Sequence, residues 1–198
     1  VVRGGTLQLR DGGAIASTAG LELYFGTLNW DNFGLNPVAT PNPVRLAAAN
    51  AVTMQGATLQ IVGAGSTDTI VSLDSVTVAA GNNFFSTLPY VNEGSTVKLT
   101  LGNLVRTAAN KASVVFNGYT TNNTTGSNTL GGQGLITKSN TYLTKLNGTA
   151  FSSSNLTNNL IGGWAVADGG AFATYSNTFG VVQMGMSYGS YSAPDYTG

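Results

Sequence analysis

The chain contains 198 residues, and only 8% of them are charged: eight acidic and eight basic side chains give a formal net charge of zero. No block of like charge is present to attract nucleic acid or an anionic membrane surface, so neither is expected as a partner. Cysteine and histidine are both absent, which excludes thiol catalysis and zinc–thiolate sites and removes the commonest general base. No apolar run approaches the roughly 18 residues of a membrane-spanning helix, so membrane insertion is not expected. We therefore expect a non-enzymatic protein without a cofactor.

Short runs in which apolar and polar residues alternate dominate the chain. Residues 21–25, 58–62 and 113–116 are examples, and each run is followed by Gly or Asn. Such alternation predicts half-buried β-strands, and helical periodicity is almost absent. The expected fold class is all-β.

A five-residue pattern recurs between these runs: a small residue, Thr, an aliphatic residue, a polar residue and an apolar residue. Its copies are residues 5–9, 26–30, 57–61 and 95–99. The intervals between copies run from about 20 to 40 residues, the range expected for solenoid units of one or two rungs. Repeats of this kind indicate that similar strands stack on one another.

A longer match joins residues 72–77 to residues 100–105 and continues from residues 80–82 into 108–110. Together the repeats predict a parallel β-helix, or β-solenoid, over residues 1–116. Aliphatic residues would stack inside it, while Thr, Ser, Asn and Gln face outward and Gly occupies the corners. A β-sandwich is the main alternative, although internal repeats are less typical of that fold.

Residues 117–198 differ in character, because they are rich in Asn, Thr, Ser and Gly. We interpret them as an irregular extension with terminal strands that packs on the β-helix or continues it. Within it, the spacing of Trp164, Val166, Phe172 and Tyr175 predicts a hairpin or a final rung. The four glycosylation sequons, at Asn122, Asn123, Asn147 and Asn155, fall in this part, and their use is left open.

Residues 4–9 read Gly-Gly-Thr-Leu-Gln-Leu, residues 52–61 end in Gly-Ala-Thr-Leu-Gln-Ile, and residues 99–106 read Leu-Thr-Leu-Gly-Asn-Leu-Val-Arg. The first two resemble the opening and the next rung of the autotransporter-associated β-strand repeat of bacterial surface proteins, and the third is similar to a recurring rung of very long surface proteins. Residues 161–175 resemble a Gly-Gly-Trp segment of the same proteins. The resemblance implies secretion, a right-handed parallel β-helix and a role at the cell surface, in the matrix or in appendages. It supplies no catalytic residues.

An enzyme and a metal site are two alternatives that the residues allow us to weigh. Glycosidases need two carboxylates about 5 to 9.5 Å apart, whereas Asp68 and Asp74 would lie roughly 20 Å apart on one strand. Asp68 fits a turn better. Asn29, Asp31 and Asn32 could supply oxygen ligands to calcium, but with one carboxylate among three an Asx-turn is the favoured interpretation.

Aromatic residues suggest two further roles. Trp30, Trp164 and Tyr175 could form a sugar-stacking platform together with the tail tyrosines, or they could be core residues. In the tail, Tyr188, Tyr191 and Tyr196, with Met184 and Met186, are the candidate surface for self-association or ligand binding. Solenoids leave unpaired strands at both ends, and no charged capping helix is evident, so we expect head-to-tail stacking or strand donation between copies.

The function expected from the sequence is that of an extracellular, self-associating structural protein. It would be a homo-oligomer or polymer, joined through the solenoid ends, in a bacterial surface layer, matrix or filament. A carbohydrate-binding adhesin module on the same fold is the alternative, with glycans as partners. A polysaccharide lyase or glycosidase is a distant third.

Overall fold

The computed structural model describes residues 1–15, 17–33, 45–47, 51–64, 67–89, 96–106, 109, 111–118, 138–185, 187–188 and 191–192. Within these residues it has twenty strands, one 3₁₀ turn at Ser153–Asn155 and no α-helix, so the expectation of an all-β fold is confirmed. No helix of the described chain is long and apolar enough to span a bilayer. The strands are β1 (Val2–Arg3), β2 (Thr6–Leu9), β3 (Gly20–Tyr24), β4 (Thr27–Asp31), β5 (Ala51–Gln55), β6 (Thr58–Val62), β7 (Thr69–Leu73), β8 (Val76–Ala80), β9 (Asn82–Leu88), β10 (Thr96–Leu101), β11 (Leu104–Val105), β12 (Ser113–Gly118), β13 (Lys138–Leu143), β14 (Lys145–Leu146), β15 (Thr149–Ala150), β16 (Ala165–Ala167), β17 (Ala171–Ser176), β18 (Gly180–Gln183), β19 (Ser187–Tyr188) and β20 (Tyr191–Ser192).

Three sheets contain all but the last two strands. Sheet A has the order β1-β3-β5-β8-β11-β14-β15, sheet B the order β18-β17-β16-β12-β9-β6-β4-β2, and sheet C the order β13-β10-β7. From β1 to β14 every pairing within these sheets is parallel. Because parallel neighbours cannot be joined by a tight hairpin, the chain visits another sheet before it returns to each one.

Alternation along each strand separates an apolar interior from a polar exterior. In β3, Leu21 and Leu23 are buried while Gly20 and Glu22 are exposed, and β4 and β6 alternate in the same way. The inward side chains of the three sheets form one continuous core, in which Phe85 and Phe116 stack with ring centroids 5.5 Å apart. The period of two in the sequence thus corresponds to the inside and outside of the sheets.

Strand register confirms most of the repeat alignment. Residues 5–9, 26–30 and 57–61 lie side by side in sheet B, with Thr6 opposite Thr27 and Thr27 opposite Thr58. The match of residues 95–99 to this group was wrong, because Thr96 begins a strand of sheet C. Since strands of different sheets share the same alternation, a five-residue pattern cannot distinguish them.

The longer repeat is confirmed over its first part and wrong over its end. Ser72 lies opposite Thr100 and Val76 lies opposite Leu104, as the alignment of residues 72–77 with 100–105 requires. Asn82, however, lies opposite Ser113 rather than Asn110. The segment between β11 and β12 is longer than that between β8 and β9, so the alignment shifts there.

A column of left-handed residues connects sheet A to sheet B. Gly4, Phe25, Gly56 and Gly81 have φ values of 65°, 52°, 58° and 69°. Each of the first three donates its backbone N–H to the next position in the stack: Gly4 to Tyr24, Phe25 to Gln55 and Gly56 to Ala80. The ladder therefore continues around the corner. Glycine suits this conformation because it has no Cβ, and Phe25 is the exception.

The chain reverses direction after β14. The pairs β14–β15, β16–β17, β17–β18 and β19–β20 are all antiparallel. Strand β16 also pairs in parallel with β12, so it is the last parallel strand of sheet B. Residues 165–176 thus form the hairpin that was one of the two structures expected for this segment.

Candidate functional site

The two acidic residues of the glycosidase hypothesis flank one strand. Asp68 precedes β7 and Asp74 follows it, so six residues of nearly extended chain, about 20 Å, separate them. Asp68 Oδ1 accepts a hydrogen bond of 2.7 Å from the N–H of Thr96 at the start of β10. This carboxylate therefore connects one strand to the next and does not face Asp74.

The oxygens of the calcium hypothesis are engaged within the protein. Asp31 Oδ1 accepts the N–H of Phe33 at 2.9 Å, which is the Asx-turn that was favoured. The other oxygen, Oδ2, accepts Gln8 Nε2 at 2.8 Å and lies 3.7 Å from Arg10 Nε. The amide of Asn29 accepts Gln60 Nε2 at 3.3 Å. In the described part of the chain no three acidic, Cys or His residues gather into a metal site.

Arg45 fills the space beside Asp31 and Asn32. Its guanidinium is fully buried and donates to Asn32 Oδ1 at 2.9 Å, to the Asp31 carbonyl at 2.8 Å and to the Gly13 carbonyl at 2.8 Å. Burial lowers the pKa of Arg45, and the nearby Asp31 and Asp11 oppose that effect. A cation already occupies this position, so the cluster stabilises the fold and is a poor place for a metal ion.

Two of the six aromatic residues proposed for a sugar platform belong to the core. Trp30 and Tyr175 are 4% and 6% exposed, so neither can stack on a sugar, and for these two the alternative of core residues is confirmed. Trp164 is half-buried and lies under the guanidinium of Arg106, 5.2 Å from the ring centroid. The alternation of apolar and polar residues in the sequence does not show that the rings of Trp30 and Tyr175 point into the core.

The tail residues proposed for association lie largely outside the described part. Tyr188 and Tyr191 are backbone partners in the antiparallel β19–β20 pair, and their side chains lie outside the described part. Tyr196 and Met186 lie outside the described residues. Met184 is half-buried and donates its N–H to the carbonyl of Phe172. The tail surface therefore stays a prediction.

The N-terminal end of the stack has uncovered strands. β1 and β2 are edge strands of sheets A and B among the described residues. Val2 and Leu7 occupy inward positions there but are only partly buried, whereas Leu23 and Leu28 in the adjacent strands are fully buried. A further strand on this edge would complete their burial.

The C-terminal end is covered by the β17–β18 hairpin. The Tyr175 hydroxyl donates to the Leu143 carbonyl at 3.0 Å and accepts the Leu143 N–H at 3.3 Å, so it occupies the place of a further strand beside β13. Asn140 and Tyr142 on β13 donate to the carbonyls of Phe179 and Thr178. This cap is built from strands, and the sequence showed only that no capping helix was evident.

An aromatic corner, defined by Arg3, Gly4, Tyr24, Phe25 and Gln55, lies on the outer surface near the N-terminal end. Arg3, Tyr24 and Gln55 lie opposite one another in three successive strands of sheet A. Phe25 follows Tyr24 in the corner column and is 72% exposed. The five residues line a cleft of about 330 Å³. A bulky residue with positive φ is rare, and it costs roughly 1–2 kcal/mol relative to glycine.

Sequence reasoning missed this corner, although a signal was present. The residue before the shared Gly/Ala-Thr-Leu pattern is glycine at positions 4 and 56 and phenylalanine at position 25. A large aromatic residue in a column that otherwise needs glycine marks a special position. The five-residue pattern begins one residue later, so it does not include this position.

The described sequons carry hydrogen bonds of the fold. Asn147 Oδ1 accepts the N–H of Arg106 at 2.6 Å, and Asn155 Oδ1 accepts the N–H of Ser152 at 2.8 Å. Asn122 and Asn123 lie outside the described residues.

Comparison of the chain with family models, with curated proteins and with solved structures found no match.

Proposed function

We propose that this chain is an extracellular, non-enzymatic structural protein that associates with copies of itself in a bacterial surface layer, matrix or filament. The proposed fold is a right-handed parallel β-helix. The observation that carries the proposal is the in-register parallel stack, in which β1 and β2 have a strand neighbour on one side only among the described residues. Such a stack can be extended by any strand of matching register.

The order in which the chain visits the sheets supports the β-helix. From β4 onward it passes through sheet B, then A, then B, and from β7 it repeats the cycle C, A, B until β12. Each return adds a strand beside the previous one of the same sheet, as coils of a solenoid do. Right-handed crossovers between parallel strands are almost universal, which supports the handedness.

Low surface charge supports self-association. With 8% charged residues and no net charge, copies of the chain experience little mutual repulsion. Natural edge strands are commonly protected by Lys or Pro, whereas β2 has Thr6 and Gln8 at its exposed positions. Gly5 accepts from Thr27, so the alternation of a parallel ladder directs the N–H groups of Thr6 and Gln8 to the open side.

Composition and the placement of the acidic residues support the proposed location and the lack of catalysis. The polar, uncharged composition and the resemblance to autotransporter-associated repeats favour an extracellular protein. The separation of Asp68 and Asp74 across β7, about 20 Å, disfavours a two-carboxylate glycosidase. The hairpin cap at the opposite end favours donation of a strand from one copy to the N-terminal edge of the next over head-to-tail stacking of the two ends.

The decisive experiment places the same substitution at the two ends. Thr6→Lys adds a charge to the open edge at β2, and Thr149→Lys adds one to the exposed strand β15 at the other end of the stack. Electron microscopy and sedimentation velocity of the purified chains report assembly. We expect wild type and Thr149→Lys to assemble and Thr6→Lys to remain monomeric, because a charged edge resists strand pairing.

Other outcomes would decide against this proposal. If both variants lose assembly, the contact is head-to-tail and the N-terminal edge alone does not explain it. If wild type is monomeric at high concentration, self-association is refuted. Circular dichroism melting of each variant separates loss of assembly from loss of folding.

A carbohydrate-binding adhesin module is the second candidate function. The observation that favours it is the exposed ring of Phe25 beside the polar side chains of Arg3 and Gln55. Polysaccharide lyase or glycosidase activity remains the third.

A further inference from the structure

Phe25 combines three properties that packing does not require. Its side chain is 72% exposed, its φ is 52°, and its neighbours in the corner column are glycines. Glycine at position 25 would avoid both the conformational cost and the exposed apolar area. An outlier of this kind on an otherwise regular corner indicates a role at the surface.

Gly4 and Gly56, the neighbours of Phe25 in the corner column, determine the surroundings of its ring. A Cβ at Gly56 would lie 3.0 Å from two atoms of the Phe25 ring, so the ring packs directly over the bare backbone there. A Cβ at Gly4 would meet nothing within 4 Å, so open space lies on that side. The ring is therefore held against one neighbour while a hollow remains beside the other.

Polar groups border the same hollow. The guanidinium of Arg3 lies over the Tyr24 ring, 5.6 Å from its centroid, which restrains this exposed cation. Gln55 pairs with Tyr24 from the strand on the other side of Tyr24 from Arg3, and it provides an amide. Of the described residues that line the cleft, Arg3 is the charged one, and it supplies a positive group for an anionic ligand.

We propose that the aromatic corner binds an acidic glycan through a uronate unit. The apolar C–H face of a pyranose stacks on an aromatic ring, which Phe25 presents. A guanidinium pairs with a carboxylate, which Arg3 supplies, and the Gln55 amide can bond hydroxyl groups. A volume of about 330 Å³ is at the small end of ligand pockets and suits one or two sugar units.

Calorimetric titration of the full chain tests the proposal. The probes are tetragalacturonate and the same tetramer with its carboxyl groups reduced to alcohols, both at low ionic strength. We expect wild type to bind the acidic tetramer more tightly, and higher salt to weaken that binding. Arg3→Gln should remove the preference for the acidic tetramer.

Two variants test the cleft itself. Phe25→Gly removes the ring while retaining a residue that accepts positive φ, and we expect about tenfold weaker binding with an unchanged or higher melting temperature. Gly4→Asn keeps the ring and fills the hollow, because Asn tolerates positive φ, and it should weaken binding similarly. Phe172→Ala removes a ring that is 48% exposed elsewhere and should leave affinity unchanged.

The proposal is overturned if wild type binds neither tetramer, if Phe25→Gly and Gly4→Asn both bind as wild type does, or if Phe172→Ala is equally impaired. Sedimentation of the same samples reports assembly separately. Glycan binding and self-association can therefore fail independently.

Discussion

At the N-terminal end of the stack, β1 and β2 have one neighbour each among the described strands, whereas at the C-terminal end the chain folds back and covers β13. At the N-terminal end the parallel pairing continues to the outermost strand, so a further parallel strand can be added there. At the C-terminal end the antiparallel hairpin ends the parallel pairing, because the same repeat cannot continue from it. Apolar side chains reflect the difference: Leu7 is half-buried, while Leu143 beneath the cap is 2% exposed.

The largest effect is expected from breaking the cap. A Cβ at Gly180 would overlap the carbonyl oxygen of Thr141 on β13, and the φ of Gly180 is 77°. We expect Gly180→Ala to lower the free energy of unfolding by about 3 kcal/mol, combining backbone strain with overpacking. Urea denaturation measures it. Gly148→Ala is the control, since its φ is 82° but its Cβ would meet nothing within 4 Å. It should cost only about 1 kcal/mol, and equal losses would show that the cap is not tightly docked.

A somewhat smaller effect is expected at the buried guanidinium near the N-terminal end. Arg45→Met leaves Asn32 Oδ1 and two backbone carbonyls without their donor. We expect a loss of about 2–3 kcal/mol in the free energy of unfolding, because buried acceptors would be unpaired. Arg10→Met removes the exposed partner of Asp31 and should cost below about 1 kcal/mol. If the two variants were equally stable, the cluster would not hold the N-terminal strands.

The smallest and most specific effect is expected at Tyr175. Tyr175→Phe removes both hydrogen bonds to Leu143 and should cost about 1–2 kcal/mol. Burial raises the pKa of Tyr175, so the unfolded chain ionises first as pH increases. The stabilisation is present below about pH 10 and is lost as pH rises through the folded pKa. Unfolding curves from neutral to alkaline pH should show a shallower decline for Tyr175→Phe. An identical decline would assign the alkaline sensitivity to other tyrosines.

The sequence predicted the stacked strands well where one local pattern decides the structure. Thr6, Thr27 and Thr58 align because each begins a strand of the same sheet after a tight corner. Thr96 was misplaced because sheet C has the same inside–outside alternation. Local periodicity determines which residues face inward but not which sheet they join.

Long-range polar contacts were beyond local reasoning. Arginine is usually found at the surface, yet Arg45 is buried, because its guanidinium donates hydrogen bonds to the carbonyls of Gly13 and Asp31. The cap depends on a bond between Tyr175 and Leu143, which are far apart in the chain. Two of the three acceptors of Arg45 and both partners of the Tyr175 hydroxyl are backbone atoms, which residue type does not reveal.

The corners between sheets A and B keep strand register independent of loop length. Gly81 alone separates β8 from β9, whereas residues 106–112 separate β11 from β12. Despite that difference, Ser113 donates to the Gly81 carbonyl and β12 resumes its register beside β9. A difference of six residues in connection length is thus accommodated while Ala112 stays in the core and β12 keeps its place beside β9. A scaffold of this kind tolerates changes in the length of its connections better than changes in the volume of its inward side chains.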